Sequence, residues 1–540
     1  MVAAALSKPL AAVSPSLRPT SLGLELDYLA DPPSDSDLAP DSPLAIRPRW
    51  MPPPPSSSSV RLLSRRRLVT ALIALIALYL LTCLLRSVPP FARPLPSYSG
   101  RHAVGSVDIE VPLPDAPRRI AGVFDLDSVL FTLYHPVAHD SSSARRRPWI
   151  DRPVGPTARG FARLLGLDFF LVRWLFTFVL WTLAGPVRIP AAVDAPLLPS
   201  DDRLPVIVFS HGMASSRTDY TAYIGELASR GFVVAAVEHR DGSCPGSVVA
   251  PDRPVLSLRG PDDLLQSNIS RTAFKRAQIT VRTAEMLETI RVLRDLDAGH
   301  GPDMFAANAR REGAHLATFG NRLALTDGLA LAGHSMGATA VLHAVHALSA
   351  PVPVIALDPG KQSGRLSPDD AGDGLASPLL VLHSAAWSRP STSLFYGRPH
   401  FDAVCSMVRA ALGRSSSAWF LTGLDTAHPS ISDAPLLEPL LLRFATGFRL
   451  RDPLASLRRH ANLSAEFLHL SAGHANHSAD LLPGSLLAES VTHSTFGHWL
   501  SPGRRRSFPK DWATQWEIHV SPAAAEPRQM HVISPPVPGL

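Results

Sequence analysis

The residues best placed to do chemistry are Gly333-His334-Ser335-Met336-Gly337, Asp358 and His428. The apolar run Leu329-Ala330-Leu331-Ala332 leads into the glycine-flanked serine, and the helical pattern of Ala338 to Leu348 leaves it. A G-x-S-x-G turn between strand and helix leaves a strained serine exposed at the top of a sheet, and its glycines are needed because strand and helix pack too closely for side chains. A serine hydroxyl becomes a nucleophile only when a base takes its proton and an acid orients that base, in the chain order Ser, Asp, His. Asp358 ends the next apolar run, Val352 to Leu357, at the edge where such sites form. His428 follows the last apolar run, Trp419 to Leu424. His383, at the end of its own run, is the rival base, while Asp425 is too close in sequence to His428 to orient it. The oxyanion formed on attack needs two backbone N–H donors. Met336 follows the nucleophile, and Met213, in the Ser210-His211-Gly212-Met213 loop after an early apolar run, is the expected second donor. His211 is expected to shape that loop, with no part in the chemistry.

The elements that hold these residues in place read as an α/β fold. Short apolar runs, Val206 to Phe209, Phe232 to Val237, Leu329 to Ala332, Val352 to Leu357, Leu379 to Leu382 and Trp419 to Leu424, alternate with helical patterns at Tyr220 to Ser229, Thr272 to Leu296, Ala338 to Leu348 and Ala403 to Leu412. That alternation is the mark of a mostly parallel sheet with crossover helices.

Composition narrows the classes. With 46% hydrophobic and 18% charged residues, the 540-residue chain can bury a large core. A net charge of +6 without a basic, aromatic-interleaved face speaks against a nucleic-acid partner. Three cysteines, Cys83, Cys244 and Cys405, exclude a four-thiolate zinc site and allow at most one disulfide in the core, Cys244 to Cys405. No histidine spacing suggests a metal, and no cofactor motif is present.

Much of the excess of proline, 52 residues, lies early in the chain. Residues 1–64 read as a disordered cytosolic tail, and Pro9, Pro15 and Pro19 spoil the amphipathic helix of a transit peptide. Residues 65–86 read as a transmembrane signal anchor. Arg65, Arg66 and Arg67 precede a charge-free run from Leu68 to Leu85, and eighteen helical residues at about 1.5 Å each cross about 27 Å of hydrocarbon. The arginine triplet keeps the N-terminus cytosolic and sends the rest to the lumen or the outside, where Asn268, Asn462 and Asn476 head glycosylation triplets. Residues 87–160 read as a linker and the first part of the domain, 161–449 as the catalytic core and 450–540 as a C-terminal extension. The aromatic-rich stretch Phe161 to Ala184 reads as one interfacial helix docking on a bilayer, with a buried helix or a second span as its rivals.

Together Val208-Phe209-Ser210-His211-Gly212, Arg230 to Asp241 with its Glu238-His239-Arg240-Asp241 string, the serine turn and Ile355-Ala356-Leu357-Asp358 resemble the plasma-type platelet-activating factor acetylhydrolases in order and spacing, from about Phe161 to Arg449. The resemblance implies an α/β-hydrolase fold and a calcium-independent phospholipase A2 that removes short or oxidised sn-2 acyl groups from phospholipids at a bilayer surface, without metal or cofactor. The family's nucleophile, acid and base fall on Ser335, Asp358 and His428. This chain departs from the family at Pro359-Gly360, where bulky residues are usual, and at Met336, where an aromatic is common. Alternatives are an esterase for neutral-lipid or small esters, and a silent hydrolase fold used as a scaffold.

Overall fold

A computed structural model describes residues 92–523 apart from 115–116, 139–144, 251–252, 259, 265–268, 361–374, 391–393, 396–397, 416, 440–451 and 473–483, together with eight helical positions between Thr70 and Leu85. The tail 1–64, Cys83, Asn268 and Asn476 lie outside the described residues. So does most of the expected anchor, and no helix among the described residues is long and apolar enough to cross a membrane.

Eleven strands form one sheet: β1 (Ala103–Pro112), β2 (Ser128–Val137), β3 (Arg146–Pro148), β4 (Arg188–Val193), β5 (Leu204–Ser210), β6 (Val233–Val237), β7 (Leu323–His334), β8 (Val354–Leu357), β9 (Leu379–Ser384), β10 (Ala418–Gly423) and β11 (Trp516–Val520). Their order is β11-β10-β9-β8-β7-β5-β6-β2-β1-β4-β3. The middle six, β10 to β6, run parallel, and they are the six apolar runs legible in the sequence. β2 joins β6 antiparallel, and β11 closes the far edge antiparallel to β10.

Burial on both faces makes these strands continuous apolar runs. Along β5, Val206 and Val208 face one core with α4 (Arg271–Asp297), α5 (Met336–Ala344) and α6 (His400–Ser415), while Ile207 and Phe209 face the other with α3 (Thr221–Ala228) and α7 (Pro453–Ala472). This parallel three-layer arrangement, with a serine elbow between β7 and α5, is the α/β-hydrolase architecture.

Two expectations need correction, that of one helix from Phe161 to Ala184 and that of a core ending at Arg449. The stretch Phe161 to Ala184 is two helices, α1 (Val154–Leu164) and α2 (Phe170–Leu183), because Gly166 at φ 72° breaks the run. Cys244 and Cys405 are buried free thiols, and Cys244 Sγ donates to Glu238 Oε1 at 2.9 Å. The fold continues past Arg449, since α7 packs on α3 and β11 completes the sheet; 103–148, read above as the first part of the domain, supply β1 to β3.

Candidate active site

The turn after β7 puts Ser335 at φ 56° and ψ −120°, a backbone region that costs an L-residue about 1–3 kcal/mol and clusters at active sites. The flanking glycines explain how the chain tolerates it. A Cβ on Gly333 would sit 2.5 Å from the backbone of Gly337, and one on Gly337 would sit 2.0 Å from the carbonyl of Ser210. Strand and helix could not close with any other residue there.

The structure brings together the three residues that the sequence singled out. Ser335 Oγ lies 3.0 Å from His428 Nε2, and His428 Nδ1 lies 2.9 Å from Asp358 Oδ2. With the ring protonated at Nδ1, the imidazole donates to Asp358 and accepts from the serine hydroxyl. Asp358 is buried, which favours its neutral form. The hydrogen bond to His428 and the positive character of that ring outweigh burial and hold the carboxyl well below the usual range. A residue the sequence reading missed helps: Ser384, ending β9, donates to Asp358 from its backbone N–H at 2.6 Å and from its hydroxyl at 2.7 Å. Its only signal is its place at the same sheet edge, one residue beyond His383.

His383 itself is turned away into the core, bonded to Ser388 Oγ at 3.1 Å and stacked on His400 with centroids 5.3 Å apart. It is not the base. Trp387 was also missed. Its indole lies flat on the His428 ring, with centroids 3.9 Å apart and planes 9° from parallel, and its Nε1–H donates to the Pro359 carbonyl at 2.8 Å. A π-face against imidazole fixes the ring and supports the imidazolium that forms when the serine proton moves, by about 1–2 kcal/mol for a desolvated cation–π pair. Turnover of an ester should therefore fall roughly 5- to 30-fold in Trp387→Ala, and Trp387→Phe should restore most of it. Equal losses in the two variants would remove stacking as the cause.

Met336 opens α5 with its N–H at the helix start, and Met213 follows Gly212, whose Cα stands so close that a Cβ would be 3.2 Å from Ser335 Cβ. The Gly212 N–H is already taken, donating to Tyr220 Oη at 3.2 Å. Among the described residues the Met213 and Met336 N–H groups have no internal partner. His211 shapes this loop: Nδ1 meets the Gly212 carbonyl at 2.8 Å and Nε2 accepts from the His239 N–H at 3.1 Å, and burial pushes the ring down to about 3.

The Glu238-His239-Arg240-Asp241 string forms a buried polar floor under the loop. Glu238 accepts the Arg217 N–H, His239 Nε2 meets Ser210 Oγ at 2.7 Å, and Asp241 holds Arg282, which donates to the His211 carbonyl at 2.6 Å. Behind it, burial raises Glu285 to about 8 and drives His239 well below its ordinary value, and the two side chains meet at 2.7 Å. Of the glycosylation triplets, only Asn462 is described. It is exposed in mid-α7, with its Oδ1 on Arg230, while Ser464 is buried against Tyr223. This is not the surface loop that an acceptor is expected to occupy.

A strained serine, a base within hydrogen-bond reach, an oriented acid and two N–H donors can together carry out acyl transfer through an acyl-enzyme. The family model described as platelet-activating factor acetylhydrolase, isoform II, matches residues 92–473. The chain is 28% identical to platelet-activating factor acetylhydrolase of Canis lupus familiaris over 422 residues, 74% of this chain and 85% of the relative. It is 28% identical to the protein of the same name from Bos taurus over 306 residues, 55% of this chain and 61% of that relative's length. A solved ferulic acid esterase from Streptomyces cinnamoneus aligns at 19% identity with a TM-score of 0.47 over 73% of this chain and 97% of its own, a likeness too loose to add to the argument.

Proposed function

Because the chain belongs to the isoform II platelet-activating factor acetylhydrolase family, we propose that it is a serine esterase that removes short or oxidised sn-2 acyl groups from phospholipids at a bilayer surface without calcium. The observation that carries this reading is the continuous line from Ser335 Oγ through His428 to Asp358, beside two N–H groups that have no partner among the described residues. Ser335 attacks the ester carbonyl while His428 takes its proton. Met213 and Met336 hold the oxyanion, and His428 returns the proton to the leaving lysophospholipid oxygen. Water then repeats the sequence on the acyl-enzyme.

Docking is assigned to α2. Its outer face exposes Phe170, Leu171, Trp174, Leu175, Phe178 and Trp181, all at least 47% exposed, and Arg173 is paired with Asp168 at the helix start. Aromatic rings presented this way favour the headgroup layer. Replacing Phe170, Trp174 and Trp181 together by Ser should lower kcat/KM on vesicle-borne phospholipid roughly tenfold or more, since each ring gives up burial worth about 25 cal/mol per Å². Turnover of a dissolved monomeric ester should not change. Parallel losses on both substrates would place the defect in the fold and remove the docking role.

The tether is assigned to Leu68 to Leu85, with the N-terminus cytosolic and the catalytic domain lumenal or extracellular. A glycosidase-sensitive mobility shift that disappears when Asn268 and Asn476 are replaced supports this topology. Protease digestion of the Ser335 domain in intact microsomes contradicts it.

A further inference from the structure

A half-open cavity of about 80 Å³ lies beneath α2, and neither Ser335, Asp358 nor His428 lines it. Two kinds of wall meet there. Phe161 of α1 and Val179 and Leu180 of α2 form an apolar roof, and Asp151, Asp219 and Glu438 also line the cavity, as does Glu238, whose carboxylate is taken by Arg217 and Cys244. None of the residues lining it is Lys, Arg or His. Arg217, behind the wall, bonds Asp151 at 2.7 Å and Glu238 at 3.4 Å, and also Asp108, so its single charge is shared among three acids. Asp219 Oδ2 accepts the Ser216 N–H at 2.9 Å, and Glu438 is acted on by Arg93. Burial raises the Asp219 carboxyl to about 7 and lifts that of Glu438 above its ordinary value, so this wall is most negative above neutral pH.

The location points to a lipid surface. The same helix that roofs the cavity turns its other face, with Phe170, Trp174 and Trp181, to the outside.

We propose that this cavity is a second lipid site that takes a single-chain amphiphile with an ammonium head, the tail against Phe161, Val179 and Leu180 and the cation facing Asp219 and Glu438. Apolar wall alone would accept any alkyl chain; the carboxylates select against anionic heads and favour a cation that the Trp149 ring in the same lining also attracts. The site goes beyond the esterase reading and does not depend on Ser335.

The test uses the full chain in bilayer nanodiscs at pH 8, above the value of about 7 to which burial pushes the Asp219 carboxyl. The probe is a dodecyltrimethylammonium amphiphile with a photoreactive diazirine in its tail. Cross-links should map to peptides containing Phe161 or Val179 and Leu180, and should persist when Ser335 is capped with a fluorophosphonate. Unlabelled dodecyltrimethylammonium should compete about tenfold better than dodecyl sulfate. Asp219→Asn and the cavity-filling Leu180→Trp should each reduce capture about fivefold or more while fluorophosphonate labelling of Ser335 shows that they fold. Cross-links lost on capping Ser335, absent from residues 154–184, or competed equally by dodecyl sulfate would overturn the proposal.

Discussion

Ser335→Ala should reduce ester turnover by a factor of roughly 10⁴ to 10⁶, the range seen when a serine hydrolase loses its nucleophile, and should abolish labelling by a fluorophosphonate. The size follows from what is removed. Ser335 is the residue held at φ 56° on the elbow, with its hydroxyl on His428, and without it no acyl-enzyme can form. The oxyanion donors and the binding surface would remain, so a small residual rate over water is expected. Folding should be intact or slightly improved, because the substitution removes no core packing. A variant that still accepts the label, or keeps more than a trace of turnover, would assign the chemistry elsewhere.

His428→Ala should cost nearly as much, because nucleophile and base act as one unit and losses within such a unit do not add. Asp358→Asn should lose roughly 10⁴, less than the loss of the base, by analogy with an acid that fixes tautomer and charge without taking the proton. The structure sharpens the reason. Asp358 accepts both the His428 N–H and two bonds from Ser384; an amide in its place presents an N–H to one of those donors and tips the imidazole into the wrong tautomer. His383→Ala is the control, since that ring is buried against Ser388 and His400. It should affect stability more than kcat. Abolished turnover in folded His383→Ala, with His428→Ala active, would reverse the assignment.

The sequence was most legible where a single physical constraint dominates. Six strands buried on both faces must be apolar throughout, and all six were readable as runs. The glycines around Ser335 announce themselves because no side chain fits there. β1 was hidden for the opposite reason: Ser106, Asp108 and Glu110 alternate with Val107, Ile109 and Val111 and look like the wet face of a strand, yet they are buried against Thr132, Arg147, Arg217 and Arg240. Partners so distant in sequence leave no local trace. Ser384 and Trp387 escaped notice likewise, since a serine after a strand and a tryptophan in a short helix acquire meaning only when the fold sets them on Asp358 and His428. The stretch from Phe161 to Ala184 stands out in the sequence by its aromatic content, but its division into α1 and α2 turned on Gly166, a residue that helices often tolerate.

The most direct test of the central claim is to compare hydrolysis of phosphatidylcholines carrying sn-2 acetyl and sn-2 long-chain acyl groups by the full chain, with and without a calcium chelator, using Ser335→Ala as the blank. Release of the sn-2 acetyl group should be unchanged by the chelator, absent in the variant, and faster than release of the long chain. Release that requires calcium, or no sn-2 hydrolysis by unlabelled protein from a preparation in which a fluorophosphonate reacts with Ser335, would contradict it.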